Sequence, residues 1–501
     1  SPEPSGLKAS VPAATTVKFD VYHRPLPEIP LPIDLATRHD PTSPTGLRIN
    51  ASMLAPTQME RTVRRLIDDL DGWGTLQPIV VPFTGPLDVG SVLAAHRDPR
   101  YGFADDVVYL INVDRDSKGF GKLHALDLGN GNYPVALERL DQYWPNDPRG
   151  FTVSLGFEEA DEDVNKNGVL DLGEDVDGDG LLGPGEDLDG DGVLDGPEDT
   201  DADGQLDAPN YLPGATPALS NLGERYDALM TFYERQTHTL LMRPMEPLDE
   251  RTTYAVVVTR RLLDAAGQPV GSPYAFINHA AQTHALAALP EVLPQGLSLD
   301  DVAFAFAFTT QTNRSDMVAV RDGLYGHGVQ KHLGEQYPAE LKSLMRLRDR
   351  DRFPNATSLH LMRGEQWAQA LSQVRVDLEG ANPQQEAYKR QIGALDYVDF
   401  YVVGSFDSPQ LFKREGADGL WLPLDEQSWP RDISTTAAEP RREEVFFSLL
   451  VPRKEVSARG QGKPAPLVIM SHGYTSNRFE VMQFGALLAR RGFAVLAIDG
   501  P

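Results

Sequence analysis

Between Asp163 and Asn210 the chain writes one 12-residue pattern four times without spacers: DVNKNGVLDLGE, DVDGDGLLGPGE, DLDGDGVLDGPE and DTDADGQLDAPN. Positions 1, 3 and 5 of every unit are Asp or Asn, position 6 is Gly and position 8 is Leu. The oxygen-bearing side chains are Asp163, Asn165, Asn167 and Glu174, then Asp175, Asp177, Asp179 and Glu186, then Asp187, Asp189, Asp191 and Glu198. The last unit offers Asp199, Asp201 and Asp203, with Asn210 where the others have Glu. A hard cation such as calcium takes about six to eight oxygens, so closely spaced carboxylates, a Gly for the sharp turn and a distant bidentate Glu suit it. The fourth loop is expected to bind weakly. A second place where chemistry could reside is His472-Gly473-Tyr474, between a strand pattern and a helix pattern. There Gly473 lets a substrate carbonyl come close, and the amide after it can point at a developing oxyanion. His472 is expected to support the loop rather than act as a base.

The elements around that loop follow from periodicity. Leu467 to Met470 is a short apolar run, expected to be a buried parallel strand. Asn477 and Glu480 have capping-box spacing, and Phe479, Met482, Ala486 and Ala489 share one helical stripe. Gly492 supplies the left-handed stop, and Phe493 to Ile498 is a second strand-length run. Strand, helix and strand with short connections predict a parallel crossover. Phe446 to Pro452 is expected to be the edge strand leading into this sheet, and Phe400 to Phe406 another strand.

From residue 76 to about 280 short β-rich runs alternate with turn signals, among them Val107 to Val113, His238 to Met242 and Thr252 to Thr259. They predict a β-sandwich, with the repeats of 161–210 inserted into it because β signals lie on both sides. Residues 1–75 read as a Pro-rich arm with a helical run from Pro56 to Asp71, expected to pack on another domain. Residues 281–440 read as a mixed α/β region, with a strand VAFAFAFT at Val302 to Thr309 and helical spacing from Ser315. SFDSPQLF, from Ser405 to Phe412, is weighed as substrate-side contact against ordinary packing, and packing is favoured.

The 12-residue units resemble the calcium loop of the EF-hand. Positions 10 and 11 hold Leu172-Gly173, Pro184-Gly185, Gly196-Pro197 and Ala208-Pro209, so no flanking helices fit, and the block is more similar to the helix-free repeats of thrombospondin type 3 modules. The segment LDERTTYAVVVTRRLLDAAGQPV resembles a bacterial immunoglobulin-like module. The strand, HG pair and helix near the end resemble the opening of an α/β-hydrolase, in which an HG pair after the third strand leads into the loop donating one oxyanion-hole amide. That resemblance implies a doubly wound sheet, an esterase or lipase, and the backbone N–H of Tyr474 as donor. The family's G-x-S-x-G elbow is absent from all 501 residues, so this chain alone is expected to be inactive, and its end at Asp499-Gly500-Pro501 is expected to fall inside a domain.

With 46 basic and 73 acidic residues the net charge is −27. Glu158 to Asp207 holds 20 acids and a single base, Lys166, so this window carries most of that charge. Such a surface disfavours nucleic acid, and the segment's order is expected to depend on calcium. Cysteine is absent, which removes disulfides and thiolate chemistry. No apolar run reaches the ~20 residues of a membrane span. Weak calcium modules suit the outside of a cell, and with a start at Ser1 they lead to the expectation of an exported or cell-surface protein, with an outer-membrane lipoprotein possible. The function expected is a calcium-binding carboxylic ester hydrolase acting on a small-molecule or lipid ester, completed by further sequence. The alternative is a calcium-dependent surface adhesion or scaffold protein.

Overall fold

The computed structural model describes residues 5–23, 27–55, 57–96, 102–128, 163, 168–171, 173, 181–184, 192, 206, 210–216, 218, 224, 228–345, 361–363, 373, 376, 382, 384–423, 426–473, 477–478 and 481–499. The chain is sheet-rich with few helices, and divides into two compact units, Ser1–Arg314 and Ser315–Pro501.

The strands of the first unit are β1 (Thr37–His39), β2 (Leu47–Ile49), β3 (Ile79–Pro82), β4 (Val108–Asn112), β5 (Leu123–His124), β6 (Leu126–Asp127), β7 (Tyr233–Glu234), β8 (Thr239–Pro244), β9 (Thr253–Thr259) and β10 (Val302–Thr309), and its helices are α1 (Gln58–Asp68), α2 (Val89–His96) and the short α3 (Leu289–Val292). One antiparallel sheet runs β10-β9-β4-β5, and a second runs β3-β8-β6, with β7 also on β8. Apolar side chains of both sheets form one core, an arrangement compatible with a β-sandwich. The pattern VAFAFAFT explains how β10 serves two cores at once. Phe304, Phe306 and Phe308 point between the sheets, while the smaller Ala305 and Ala307 face Ile277, Leu286 and Leu289 on the other side. The outer edge of β10 is closed by polar partners. Ala305 N donates to Ile277 O (2.7 Å), Gln282 bonds both backbone groups of Ala307, and Thr309 N donates to Asp34 (2.8 Å). The N-terminal arm lies along this unit, its Val17, Ile29 and Ile33 entering the inter-sheet core.

The second unit contains α4 (Arg314–Leu324), α5 (His332–Gln336), β11 (Leu341–Met345), β12 (Leu361–Arg363), α6 (Glu386–Ala394), β13 (Val398–Gln410), β14 (Arg441–Pro452), β15 (Leu467–Ser471), α7 (Val481–Ala489) and β16 (Ala494–Ile498). Its sheet runs β11-β13-β14-β16-β15, with β12 also on β13. β15 and β16 are parallel, and the remaining pairings are antiparallel. Ala486 and Ala489 of α7 bury against Tyr401, Leu450 and Val495, as the helical stripe predicts, and Gly492 takes the left-handed conformation with φ 88°. Two expectations are corrected. β14 is an interior strand, because β13 pairs along one side of it and β16 along the other. Among the described residues β15 is the edge strand, and Leu467 and Ile469, alternate residues on one face of it, are exposed rather than buried, while Met470 on the other face packs on the core.

Candidate functional site

The acidic repeat hangs from a single strand position of the first unit. β6 and β7 lie on the same side of β8: Met245 N donates to Ala125 O (3.0 Å) and Leu241 N to Phe232 O (2.7 Å), whereas His238 O accepts Phe83 N (3.1 Å) on the β3 side. Leu126 pairs with Pro244, and Tyr233 with Leu240. Along β8 those pairings are four residues apart, but the chain takes 107 residues to go from 126 to 233, so 103 residues are looped out of what would otherwise be one continuous edge strand.

Asn210 closes the excursion at its return. Its amide donates to Met230 O (2.7 Å) and Tyr233 O (2.8 Å), its own carbonyl accepts Met230 N (2.7 Å), and the residue is buried. Spacing read Asn210 as a poor twelfth ligand. The structure gives it an anchoring role, which its burial beside β7 reveals and its position in the repeat does not.

Of the repeat's fifteen candidate ligands, Asp163 alone falls among the described residues; Asn165, Asn167, Glu174, Asp175, Asp177, Asp179, Glu186, Asp187, Asp189, Asp191, Glu198, Asp199, Asp201 and Asp203 lie outside them. Asp163 Oδ2 accepts the N–H of Gly168, five residues on, at 3.1 Å. Its Oδ1 is shielded from solvent and has no hydrogen-bond partner. Gly168 and Gly192, both at position 6 of their units, have φ of 75° and 78°, the left-handed region in which Gly avoids the Cβ penalty. In the first unit Asp163 thus turns one oxygen back onto its own loop while the other makes no hydrogen bond, a donor that a hard cation could use. Among the described residues no cluster of three or more acidic, His or Cys side chains assembles a metal site.

The second candidate sits at the ends of the parallel strands. Ser471 pairs with Ile498, and His472 and Gly473 follow directly, while Tyr474 lies outside the described residues. His472 Nδ1 is 2.9 Å from Gly473 O; since a carbonyl only accepts, Nδ1 carries the proton and the ring braces the loop. Among the described residues, no atom beyond its chain neighbours lies within 4 Å of where a Cβ of Gly473 would stand, so that side is open among them. Asp499, just after β16, accepts Arg478 N (2.7 Å) and pairs with the Arg478 guanidinium, which ties the loop before α7 to the end of β16. Next to this point the ends of β13 and β14 pass β16 and border a half-open cleft of about 340 Å³, lined by Phe406, Ser408, Gln410, Trp429, Val445 and Ile498 among others. SFDSPQLF therefore contributes to a cleft wall, although its strand pairing is ordinary.

Outside both candidates, the buried His96 and the half-buried Asp34 are pushed toward their neutral forms by desolvation. His96, at the end of α2, accepts the N–H of Val107 (3.2 Å) and Val108 (3.3 Å) on Nε2 and turns Nδ1 toward Asp106 (3.5 Å). Desolvation outweighs the attraction of Asp105 and lowers its pKa to about 4. Asp34 accepts both the N–H and the hydroxyl of Thr309 at 2.8 Å, yet desolvation dominates and raises its carboxyl to about 6. Both groups tie elements of the first unit together, His96 joining α2 to β4 and Asp34 joining the N-terminal arm to β10. Compared with known proteins, the chain matches no family model, no curated protein and no solved structure.

Proposed function

We propose that the chain carries a calcium-binding repeat inserted in an immunoglobulin-like sandwich, followed by the opening strands of an α/β serine hydrolase that acts on carboxylic esters. The observation that carries the catalytic reading is the position of His472-Gly473. Counted from the long β13–β14 pair, β15 is the third strand, and the HG pair leaves it directly into the loop before α7, with β16 parallel beside it. The open side of Gly473 suits the close approach of a substrate carbonyl. In this reading the N–H of Tyr474 helps hold the tetrahedral oxyanion while a serine on later sequence forms the acyl ester. In this reading the rest of such a sheet adds at the edge of β15 away from β16, and the exposed face carrying Leu467 and Ile469 suits a covering layer. The substrate is a small-molecule or lipid ester, and the protein is exported to where calcium is plentiful.

The cation-binding half of the reading rests on Asp163, Gly168 and Gly192, whose geometry supports a calcium loop. When bound, calcium supplies positive charge that offsets the repeat's crowded carboxylates.

A fluorophosphonate probe tests the catalytic half. Labelling of the native exported protein, with none on this 501-residue chain, is the expected result. Absence of labelling on the native protein, together with retained calcium binding, would overturn the hydrolase reading in favour of a calcium-dependent scaffold.

A further inference from the structure

Helix α1 is mounted with its apolar stripe outward. Thr57 caps it, its hydroxyl oxygen accepting Glu60 N (3.1 Å). Glu60, Arg64 and Asp68, four apart, form the side that holds it to the first unit. Arg64 bonds Glu60 (3.1 Å through Nε) and Ser52 O (3.1 Å), while Asp68 pairs with Arg38 (2.8 Å) and accepts Ala51 N (3.0 Å). Met59, Val63, Leu66 and Ile67, with Leu70 just past the end, make one stripe at helical spacing, and all five are exposed, Met59 to 79%. Met53 and Leu54, immediately upstream, are exposed as well. No residue of the helix is buried. A surface helix normally buries such a stripe, so a contiguous exposed patch of this kind marks an interaction site.

The patch itself says what fits it. Seven roughly half-exposed apolar residues offer on the order of 600 Å², below the ~800 Å² per partner of a standard protein interface, so a second copy pairing through α1 alone falls short of that size. A lipid surface needs no such area. The helix separates polar and apolar sides sharply, is hydrophilic on average and carries the exposed Arg61 and Arg65 on its polar side, the combination that seats a helix in the headgroup layer. With a net charge of −27 the chain gains little from an anionic surface, so apolar insertion must supply the attraction.

We propose that α1, with Met53 and Leu54, docks the first unit on a zwitterionic lipid surface, its axis lying in the interfacial plane. This stands independently of the catalytic reading, since it uses no residue of the second unit. The test is co-sedimentation of the full chain with phosphatidylcholine vesicles. The unsubstituted chain should pellet with the vesicles, with little change when salt is raised, and the double variant Val63→Asp/Ile67→Asp should bind roughly tenfold more weakly or worse. Both positions are exposed, so an unchanged melting temperature would verify that the variant folds. A Leu66→Trp variant should emit at shorter wavelength when vesicles are added. Failure of the unsubstituted chain to pellet, equal pelleting of the double variant, or Leu66→Trp emission already blue-shifted without vesicles would each overturn the proposal. So would a stable dimer that the double variant dissolves.

Discussion

Acidification should act on the first unit through two opposed groups, and substituting either one should expose the other. His96 is neutral in the fold, with a pKa near 4 against an ordinary 6.5. Between those values the unfolded chain binds a proton that the folded chain does not, so stability present above pH 6.5 is lost as pH falls. At about 1.4 kcal/mol per unit the loss reaches roughly 2 kcal/mol at pH 5 and about 3 kcal/mol by pH 4. Asp34 works the other way. Its carboxyl, near 6 against 3.8, binds its proton more readily in the fold, so its contribution is fully present below pH 3.8 and is lost as pH rises through 6. The two slopes nearly cancel between pH 4 and 6. Urea unfolding of the unsubstituted chain should therefore be rather flat in that range as far as these groups go. His96→Gln should be less stable at pH 7.5, because the N–H groups of Val107 and Val108 lose their Nε2 acceptor, and should gain relative to the unsubstituted chain as pH falls to 5. Asp34→Asn should show the steeper acid loss that His96 causes when unopposed. If both variants follow the pH profile of the unsubstituted chain in parallel, the buried-neutral assignment of His96 and the desolvated carboxyl of Asp34 are wrong.

Removal of residues 129–231, which joins Leu128 to Phe232, restores the register of β6 and β7 on β8. The shortened chain should fold and lose calcium binding in titration calorimetry, at a stability cost of about 2–5 kcal/mol for the lost core side chain of Met230; failure to fold would refute the strand-interruption reading. Asn210→Ala leaves the carbonyls of Met230 and Tyr233 without their donor and should cost about 1–3 kcal/mol in urea unfolding, with calcium affinity unchanged. Weaker calcium binding in that variant would return Asn210 to the ligand set. Gly168→Ala and Gly192→Ala place a Cβ at φ of 75° and 78° and should weaken calcium binding by several-fold, each costing about 1 kcal/mol in the loaded protein. Unchanged affinity in both would mean that position 6 does not shape a binding loop.

Periodicity made β10, β13, β16, α1 and α7 legible, because each carries a period set by its own residues. What it could not supply was partnership. The run ending at Pro452 was expected at an edge and lies inside the sheet, since a strand's neighbours are chosen by distant sequence. Leu467 to Met470 reads as buried from its apolar content, but only the face with Met470 meets the core, and Leu467 and Ile469 on the other face are exposed. The stripe of α1 is plain in the sequence, but its outward direction depends on Glu60, Arg64 and Asp68 having found partners elsewhere. At the repeat, spacing identified the ligand chemistry, while the anchoring by Asn210 rests on carbonyls of Met230 and Tyr233 that no local pattern announces.

The interrupted edge strand has a consequence for the order in which the first unit assembles. β7 is separated from β8 by four residues, so that half of the interrupted strand has its partner close by in sequence, whereas β6 reaches the same β8 only across the excursion. The β7–β8 hairpin can form on the microsecond scale of local loop closure, before the excursion has organised. Bringing β6 alongside then closes a loop whose entropy grows only logarithmically, about 4 kcal/mol for some hundred residues and only ~0.6 kcal/mol more for each doubling. Lengthening the excursion therefore leaves the β7–β8 hairpin untouched and adds only slowly to the cost of docking β6, which lets the sandwich carry a large acidic insert.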